Sequence, residues 1–257
     1  MAGFKKIHYC WFGGNPLPDL AKKCIASWKK FCPDYEIIEW NESNFDINCN
    51  AYVKEAYQAK KWAFVSDYCR FYILYNYGGI YLDTDVELLK SLDELPNTFV
   101  GFESPNYVAS GLIRAAEPND EICGLMLETY EKDIFSFEGG KTLTVCERET
   151  EILKGFGLQA NGTMQQIKGT VVFPMEYFCP LNPITWKLNI TKNTYSIHHY
   201  DGSWLLEEDK LAIRLTIKYR KFMPRKLAGY LGKFNAIKKI HGFKQACKEF
   251  CAWRKRK

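Results

Sequence analysis

The sequence predicts an α/β fold built on a parallel sheet, and three observations carry that prediction. Short apolar runs alternate with amphipathic stretches over Lys5–Leu82 in the order strand, helix, strand, helix, strand. The segment Lys60–Leu89, KKWAFVSDYCRFYILYNYGGIYLDTDVELL, reads as a helix, a glycine stop and a short strand. The length, 257 residues, accommodates one large α/β domain with an appendage.

Lys5–Gly14 (KKIHYCWFGG) reads as a first strand entering a glycine turn, which places Trp11 and Phe12 at its carboxyl end. Leu20, Cys24, Ile25 and Trp28 recur at helical spacing through Leu20–Phe31, and Cys32-Pro33-Asp34 breaks the pattern. Tyr35–Trp40 is a second parallel strand, Asn41–Asn50 a polar loop, and Ala51–Lys60 another helical stretch. Phe64, Tyr68, Phe71, Leu74 and Tyr75 mark the next helix, ended by Asn76 and the Gly78-Gly79 pair. Ile80-Tyr81-Leu82 is then a short strand. Phe99–Glu103 reads as a strand, Val108–Ala115 carries the small-residue turn Ser110-Gly111-Leu112, and Glu121–Lys132 and Thr142–Gly157 are helices. Ile167–Phe173 is a strand followed by the aromatic loop Pro174–Phe178, and a further strand-like run leads into His198-His199.

Asp83-Thr84-Asp85 follows the short strand directly. Residues two apart on an extended chain share a side, so both carboxylates can converge on one object. Two like charges held together call for a cation, and oxygen ligands suit a hard divalent ion. Read alone, D-x-D is a weak motif, and two solvated turn carboxylates are the favoured reading. Asp67 and Arg70 lie three apart on the preceding helix and share a face, either as an ordinary surface ion pair or as part of the same polar cluster. An imidazole at His198 or His199 could complete a ligand set. Neighbouring strand residues face opposite sides, so only one of them would turn toward it.

The run S-D-x-x-R followed by Y-x-Y-G-G-x-Y-L-D-T-D resembles the DXD region of glycosyltransferase family 32. That family includes bacterial capsule and polysaccharide transferases and yeast mannosyltransferases, and is related to the large clostridial glucosylating toxins. The resemblance covers Lys5–Leu95 and returns at Pro174–Trp204. It implies a GT-A, Rossmann-like nucleotide-sugar domain and a retaining, metal-dependent transferase with Mn²⁺ or Mg²⁺ as cofactor. By the resemblance Asp83, Asp85 and His199 hold the metal, His199-Tyr200-Asp201-Gly202 matching the H-F-x-G segment of glycogenin and related galactosyltransferases. Asp67 and Arg70 would bind donor-sugar hydroxyls, with Asp83 also on the ribose, so that Asp67, Arg70, Asp83 and Asp85 form the catalytic set. Trp11 would stack on the base, and Ser203 and Trp204 would contact the phosphates. Ser110-Gly111-Leu112 resembles a turn that approaches the donor with backbone groups. Cys146 and Arg148 stand where many members carry a glycine-proline signature. The implied donor is a UDP-sugar, favoured over GDP-mannose, and the acceptor a saccharide or lipid-linked saccharide.

Composition narrows the alternatives. Ten scattered cysteines include no C-x-x-C pair, so zinc and redox motifs are unsupported and buried thiols in a reducing compartment are expected. The N-terminus lacks a signal-peptide core and no apolar run reaches a membrane span, which suggests a cytoplasmic protein. From Lys210 onward sixteen Lys/Arg face the single acid Glu249, whereas residues 1–209 hold 19 Lys/Arg against 29 acids. This divides the chain into a GT-A domain, 1–209, and a basic amphipathic helical tail, 210–257. Apolar residues interleaved with lysines and arginines suit docking on an anionic membrane, here its inner face. Nucleic acid is the other partner for such charge, and is not expected because the acidic constellation would go unused. A glycoside hydrolase is disfavoured, since Asp83 and Asp85 are too close to flank a glycosidic bond. A non-catalytic nucleotide-sugar-binding scaffold docked by its tail is the alternative.

Overall fold

In β1 (Lys6–Cys10), Ile7 and Tyr9 point to one side and His8 and Cys10 to the other, and all four are buried. The strand is therefore covered on both faces, which is what a central strand of an α/β sheet requires. The structure, a computed structural model, describes residues 5–104, 106–108, 113–135, 143–182, 185–202 and 207–254. Its elements run α1 (Asp19–Phe31), β2 (Glu36–Trp40), α2 (Ala51–Gln58), α3 (Trp62–Tyr77), β3 (Gly79–Leu82), β4 (Val86–Leu88) and β5 (Phe99–Ser104). There follow β6 (Tyr107–Val108), β7 (Ile113–Ala116), α4 (Glu121–Glu131), α5 (Val145–Gly155), β8 (Gln165–Ile167), β9 (Thr170–Phe173), β10 (Ser196–His198), α6 (Glu207–Tyr219), α7 (Arg225–His241) and α8 (Phe243–Arg254). Two compact units emerge, Met1–Asn182 with Lys187–Tyr200, and Pro183–Trp186 with Asp201–Lys257.

The fold is mixed α/β. The main sheet has the order β2-β1-β3-β7-β5-β9-β8, with β6 alongside β5. β1 pairs in parallel with β2 and β3, and β5 with β9. The expected all-parallel sheet does not hold beyond β3, because β7 runs antiparallel to both of its neighbours. The connection from β5 to β7 is too short for the crossover of a dozen or more residues that a parallel neighbour needs. Ile167–Phe173 likewise forms a hairpin and not one strand. Lys168 (φ 49°) and Gly169 (φ 82°) both take positive φ and turn β8 back onto β9.

Helices cover both faces. α1 packs Cys24, Ile25 and Trp28 against Ile7, Tyr9, Ile80 and Leu82, and the Trp28 indole donates to the Val86 carbonyl at 2.7 Å. On the opposite face α2, α3 and α4 gather Tyr52, Val53, Phe71, Leu74 and Met126 beneath Cys10, Trp40 and Tyr81. Cys10, Cys32, Cys69, Cys123 and Cys179 are buried free thiols within this frame.

His8 locks β1 to the start of β3. Its Nδ1 accepts from the Trp40 indole at 3.1 Å, so its Nε2 carries the proton donated to the Gly78 carbonyl at 3.0 Å. Burial holds its pKa down at about 4, against the Gly78 hydrogen bond, which pulls it upward. Gly79 (φ 101°) is required at this junction, since a Cβ there would stand 3.0 Å from both His8 Nε2 and the Lys6 carbonyl. α5 begins at a capping box, the Thr144 hydroxyl accepting from the Glu147 N–H at 3.2 Å while Glu147 accepts from the Thr144 N–H at 2.9 Å.

The second unit contains a helical hairpin. A Cβ on Gly232 of α7 would come within 2.8 Å of the Ala212 carbonyl and 2.9 Å of the Thr216 nitrogen of α6, so the glycine lets the two helix backbones approach closely. Asn235 donates to the Tyr219 hydroxyl at 3.1 Å, and His241 meets Glu208 at 2.9 Å. Among the described residues no helix is long and apolar enough to cross a membrane.

Candidate active site

The site is built where α3 runs into β3. Lys60 (φ 56°) separates α2 from α3, and α3 then carries Trp62, Ser66 and Arg70 up one face at four-residue spacing. The Ser66 hydroxyl donates to the Trp62 carbonyl at 3.1 Å, and Arg70 Nε donates to the Ser66 carbonyl at 3.1 Å. The helix stops at Gly78 (φ 64°), and β3 brings Tyr81 and, two residues on, Asp83 to the side that α3 covers.

Arg70, 4% exposed, bridges two carboxylates: Nη2 lies 2.9 Å from Asp67 and 3.4 Å from Asp83. Its guanidinium stacks 4.7 Å from the centre of the Tyr81 ring, and the Tyr81 hydroxyl donates to Asp83 at 2.9 Å. Asp67, Arg70 and Asp83 are thus brought together. Burial pushes the Asp67 carboxyl up to about 6, against the lowering charge of Arg70. Burial also raises the Asp83 carboxyl, and the neighbouring charge of Asp85 adds to it while Arg70 opposes both.

Asp85 turns the other way, onto β10. Its carboxylate lies 3.2 Å from His198 Nε2. His199 does not face Asp85: its Nε2 lies 2.8 Å from Glu87, which also holds Lys23 at 2.7 Å. The register explains the choice. Ile197 stands opposite Glu87 in the antiparallel β10–β4 pair, so His199 projects to the Glu87 face and His198 to the opposite one. Burial disfavours the charged form of His198, but Asp85 outweighs it and raises the pKa, with Asp83 and Glu103 adding to the effect. The His198 Nδ1 is buried and without a hydrogen-bond partner among the described residues, and the His198 and Tyr200 rings stand 3.9 Å apart.

Asp85 and His198 are of the carboxylate and imidazole types that divalent cations accept, and their 3.2 Å spacing is that of a hydrogen-bonded ion pair. Asp83 is already engaged by Arg70 and Tyr81, and among the described residues no group of three His, Cys, Asp or Glu is gathered for a metal.

Trp11 is half-buried against the α1-side core, and its indole donates to the Asn15 carbonyl. The cavity beyond β1, about 600 Å³, is lined by Gly13, Gly14, Asn15, Glu42, Tyr57, Lys60 and Trp62. Trp62 is thus the tryptophan that lines it, and a Cβ on Gly13 (φ 91°) would meet its indole at 2.6 Å. Glu42 is pinned by the Gly13 N–H at 2.7 Å and the Tyr57 hydroxyl at 3.0 Å. Trp62 and Arg70 are two helical turns apart, about 12 Å along the axis, so one face of α3 joins this cavity to the carboxylates. Ser110-Gly111-Leu112, Ser203 and Trp204 lie outside the described residues.

Arg148 and Tyr130 stand behind Asp67. Arg148 of α5 is buried, pairs with Asp133, and lies 4.5 Å from the Tyr130 ring centre. Its charge helps hold the Asp67 carboxyl down. The Tyr130 hydroxyl beside it is buried with no partner among the described residues.

Residues 18–100, which include Asp67, Arg70, Asp83 and Asp85, match the family described as "Glycosyltransferase sugar-binding region containing DXD motif". The chain is 33% identical over 127 residues to lactosylceramide 4-alpha-galactosyltransferase of Mus musculus, covering 48% of this chain and 33% of that protein. It is 32% identical over 123 residues to inositol phosphoceramide mannosyltransferase 3 of Schizosaccharomyces pombe, covering 44% of this chain and 33% of that protein. The chain therefore spans about a third of the length of these relatives. Among solved structures, PaToxG glycosyltransferase is 20% identical with a TM-score of 0.45, over 59% of this chain and 69% of that one. An active-site mutant of LgtC is 15% identical with a TM-score of 0.36, over 87% and 99%.

Proposed function

We propose that this protein is a retaining, metal-dependent glycosyltransferase that moves a sugar from a nucleotide diphosphate, a UDP-sugar in preference to GDP-mannose, onto a lipid-linked saccharide. The observation that carries the reading is the placement of two adjacent polar clusters at one strand end. Arg70 joins Asp67 to Asp83, and Asp85 faces His198. A binding site for neutral hydroxyls and one for a cation-bound diphosphate are the two halves such a transfer needs.

In this reading Asp67 and Asp83 accept hydrogen bonds from donor hydroxyls, and Arg70 fixes both carboxylates so that no reorientation is needed on binding. Asp85 and His198 would hold a divalent cation, Mn²⁺ or Mg²⁺, with Asp83 available nearby; His198 takes the place of His199, which is paired with Glu87. Bound there, the cation would offset charge on the departing diphosphate. The base occupies the cavity against Trp62 and Tyr57, while Trp11 acts at a remove by holding the Asn15 carbonyl. No side chain is assigned as nucleophile, in keeping with front-face attack assisted by the leaving phosphate.

The curated relatives are named for lactosylceramide and inositol phosphoceramide, both lipids bearing a polar head, which supports a lipid-linked acceptor. The basic second unit supports seating the protein peripherally on an anionic membrane, and the buried free thiols support the cytoplasmic side. Incubation with UDP- and GDP-sugars, with and without Mn²⁺, tests the reading by nucleotide release. Cation-dependent release from one donor, abolished in Asp85→Asn, is the expected result. Equal release in the presence of chelator would overturn the metal assignment, and tight donor binding without turnover would mark a scaffold.

A further inference from the structure

The hairpin of α6 and α7 is polarised along its length. At one end Glu207, Glu208 and Asp209 occupy the first turn of α6, and Glu208 meets His241 at 2.9 Å. At the other end the chain reverses through residues 220–224, and no Asp or Glu occurs anywhere from Lys210 to Lys248. The reversal is a fixed turn, with the Phe222 N–H donating to the Tyr219 carbonyl at 2.9 Å and the Met223 N–H to the same carbonyl at 3.1 Å. Pro224 then leads into α7.

This tip presents Phe222 with 81% of its surface exposed, and Leu227, one turn into α7, with 48%. Arg220, Lys221, Arg225 and Lys226 surround them in sequence, and the last three are exposed. A phenylalanine left in water at the end of a rigid hairpin gains nothing from the fold itself. The cations that flank it in sequence favour an anionic surface over an apolar protein core as its partner. An anionic bilayer satisfies both features, with phosphates at the depth of the guanidinium and ammonium groups and acyl chains just beneath.

We propose that the α6–α7 tip is a membrane wedge: Phe222 and Leu227 enter the boundary between headgroups and acyl chains, and Arg220, Lys221, Arg225 and Lys226 engage the lipid phosphates. The proposal rests on the peripheral docking put forward above and assigns it to one turn, in place of a diffuse attraction over the whole basic unit. The close approach of Gly232 to the Ala212 and Thr216 backbone packs the two helices against each other behind the tip.

Co-sedimentation of the full chain with vesicles tests it. One set contains equal parts phosphatidylcholine and phosphatidylserine, the other phosphatidylcholine alone. Phe222→Ser is expected to weaken binding to the anionic vesicles by about tenfold or more, the equivalent of withdrawing one buried aromatic side chain. Phe222→Trp should retain binding, and Ile134→Ser, which removes another exposed apolar side chain from the first unit, should leave it unchanged. Each charge removed by Lys221→Gln or Lys226→Gln should cost about fivefold. Wild-type binding to anionic vesicles that Phe222→Ser does not alter would overturn the wedge and leave general basic docking standing. No preference of the wild type for anionic over neutral vesicles would overturn docking itself. Retention of a short RNA duplex in place of vesicles, lost with the same lysines, would do so in favour of nucleic acid.

Discussion

Replacing Arg70 by Met would strand two carboxylates in a site that holds them with one guanidinium. Arg70 is 4% exposed, 2.9 Å from Asp67 and 3.4 Å from Asp83. Removing one partner of a buried pair costs about 3–5 kcal/mol, because the remaining charge is left without compensation. Asp67 cannot supply all of this. Its carboxyl already stands at about 6, so near pH 7 it escapes by taking up a proton for about 1–2 kcal/mol. The rest comes from Asp83 and from the lost stacking on Tyr81, the latter about 2 kcal/mol for a desolvated cation over a ring. The expected loss in urea unfolding is therefore about 3–5 kcal/mol near pH 7, a large share of a typical domain's 5–15 kcal/mol. Near pH 5, where Asp67 is largely protonated, the loss should shrink by about 1 kcal/mol. Arg70→Lys, which keeps the charge and loses the fork, should fall between the two proteins. A loss below about 1 kcal/mol, the same at both pH values, would refute the bridging account.

Asp67→Asn should move stability and function in opposite directions. The folded-state pKa of Asp67 is raised, so its ionised form costs stability above about 6; the variant should gain about 1–3 kcal/mol near pH 8 while losing donor binding in titration calorimetry. His8 should make the protein acid-sensitive in the other sense. Its folded pKa is lowered to about 4, so the stability it contributes is complete above the ordinary histidine value near 6.5 and is lost as pH falls from there to about 4. The unfolding free energy from urea titrations across that window should fall by about 3 kcal/mol in wild type and much less in His8→Gln.

What could be read from the sequence was what is set locally. The Gly78-Gly79 stop, the short strand after it and the emergence of Asp83 and Asp85 at its end depend on a few adjacent residues, and they stand as expected. The Asp67/Arg70 helix face was equally legible, since three-residue spacing fixes it. That His198 meets Asp85 while His199 meets Glu87 was not, because it depends on which residue of β10 stands opposite Glu87, a property of two distant segments. The same holds for Trp62. Nothing near it in sequence says that the Gly13 loop will close over its ring. The antiparallel β7 and the Lys168-Gly169 turn were missed for a simpler reason: apolar runs mark strands but not their direction, and a two-residue turn with one glycine hides inside such a run.

The central claim is that Asp85 and His198, with Asp83 beside them, hold a cation on which the nucleotide depends. Its most direct measurement is the affinity for UDP, titrated with and without Mn²⁺, in wild type, His198→Ala and His199→Ala. The account predicts that His198→Ala weakens the Mn²⁺-dependent binding by about tenfold or more and that His199→Ala barely changes it. Loss of binding in His199→Ala alone, or affinity in all three proteins that is indifferent to Mn²⁺, would contradict it.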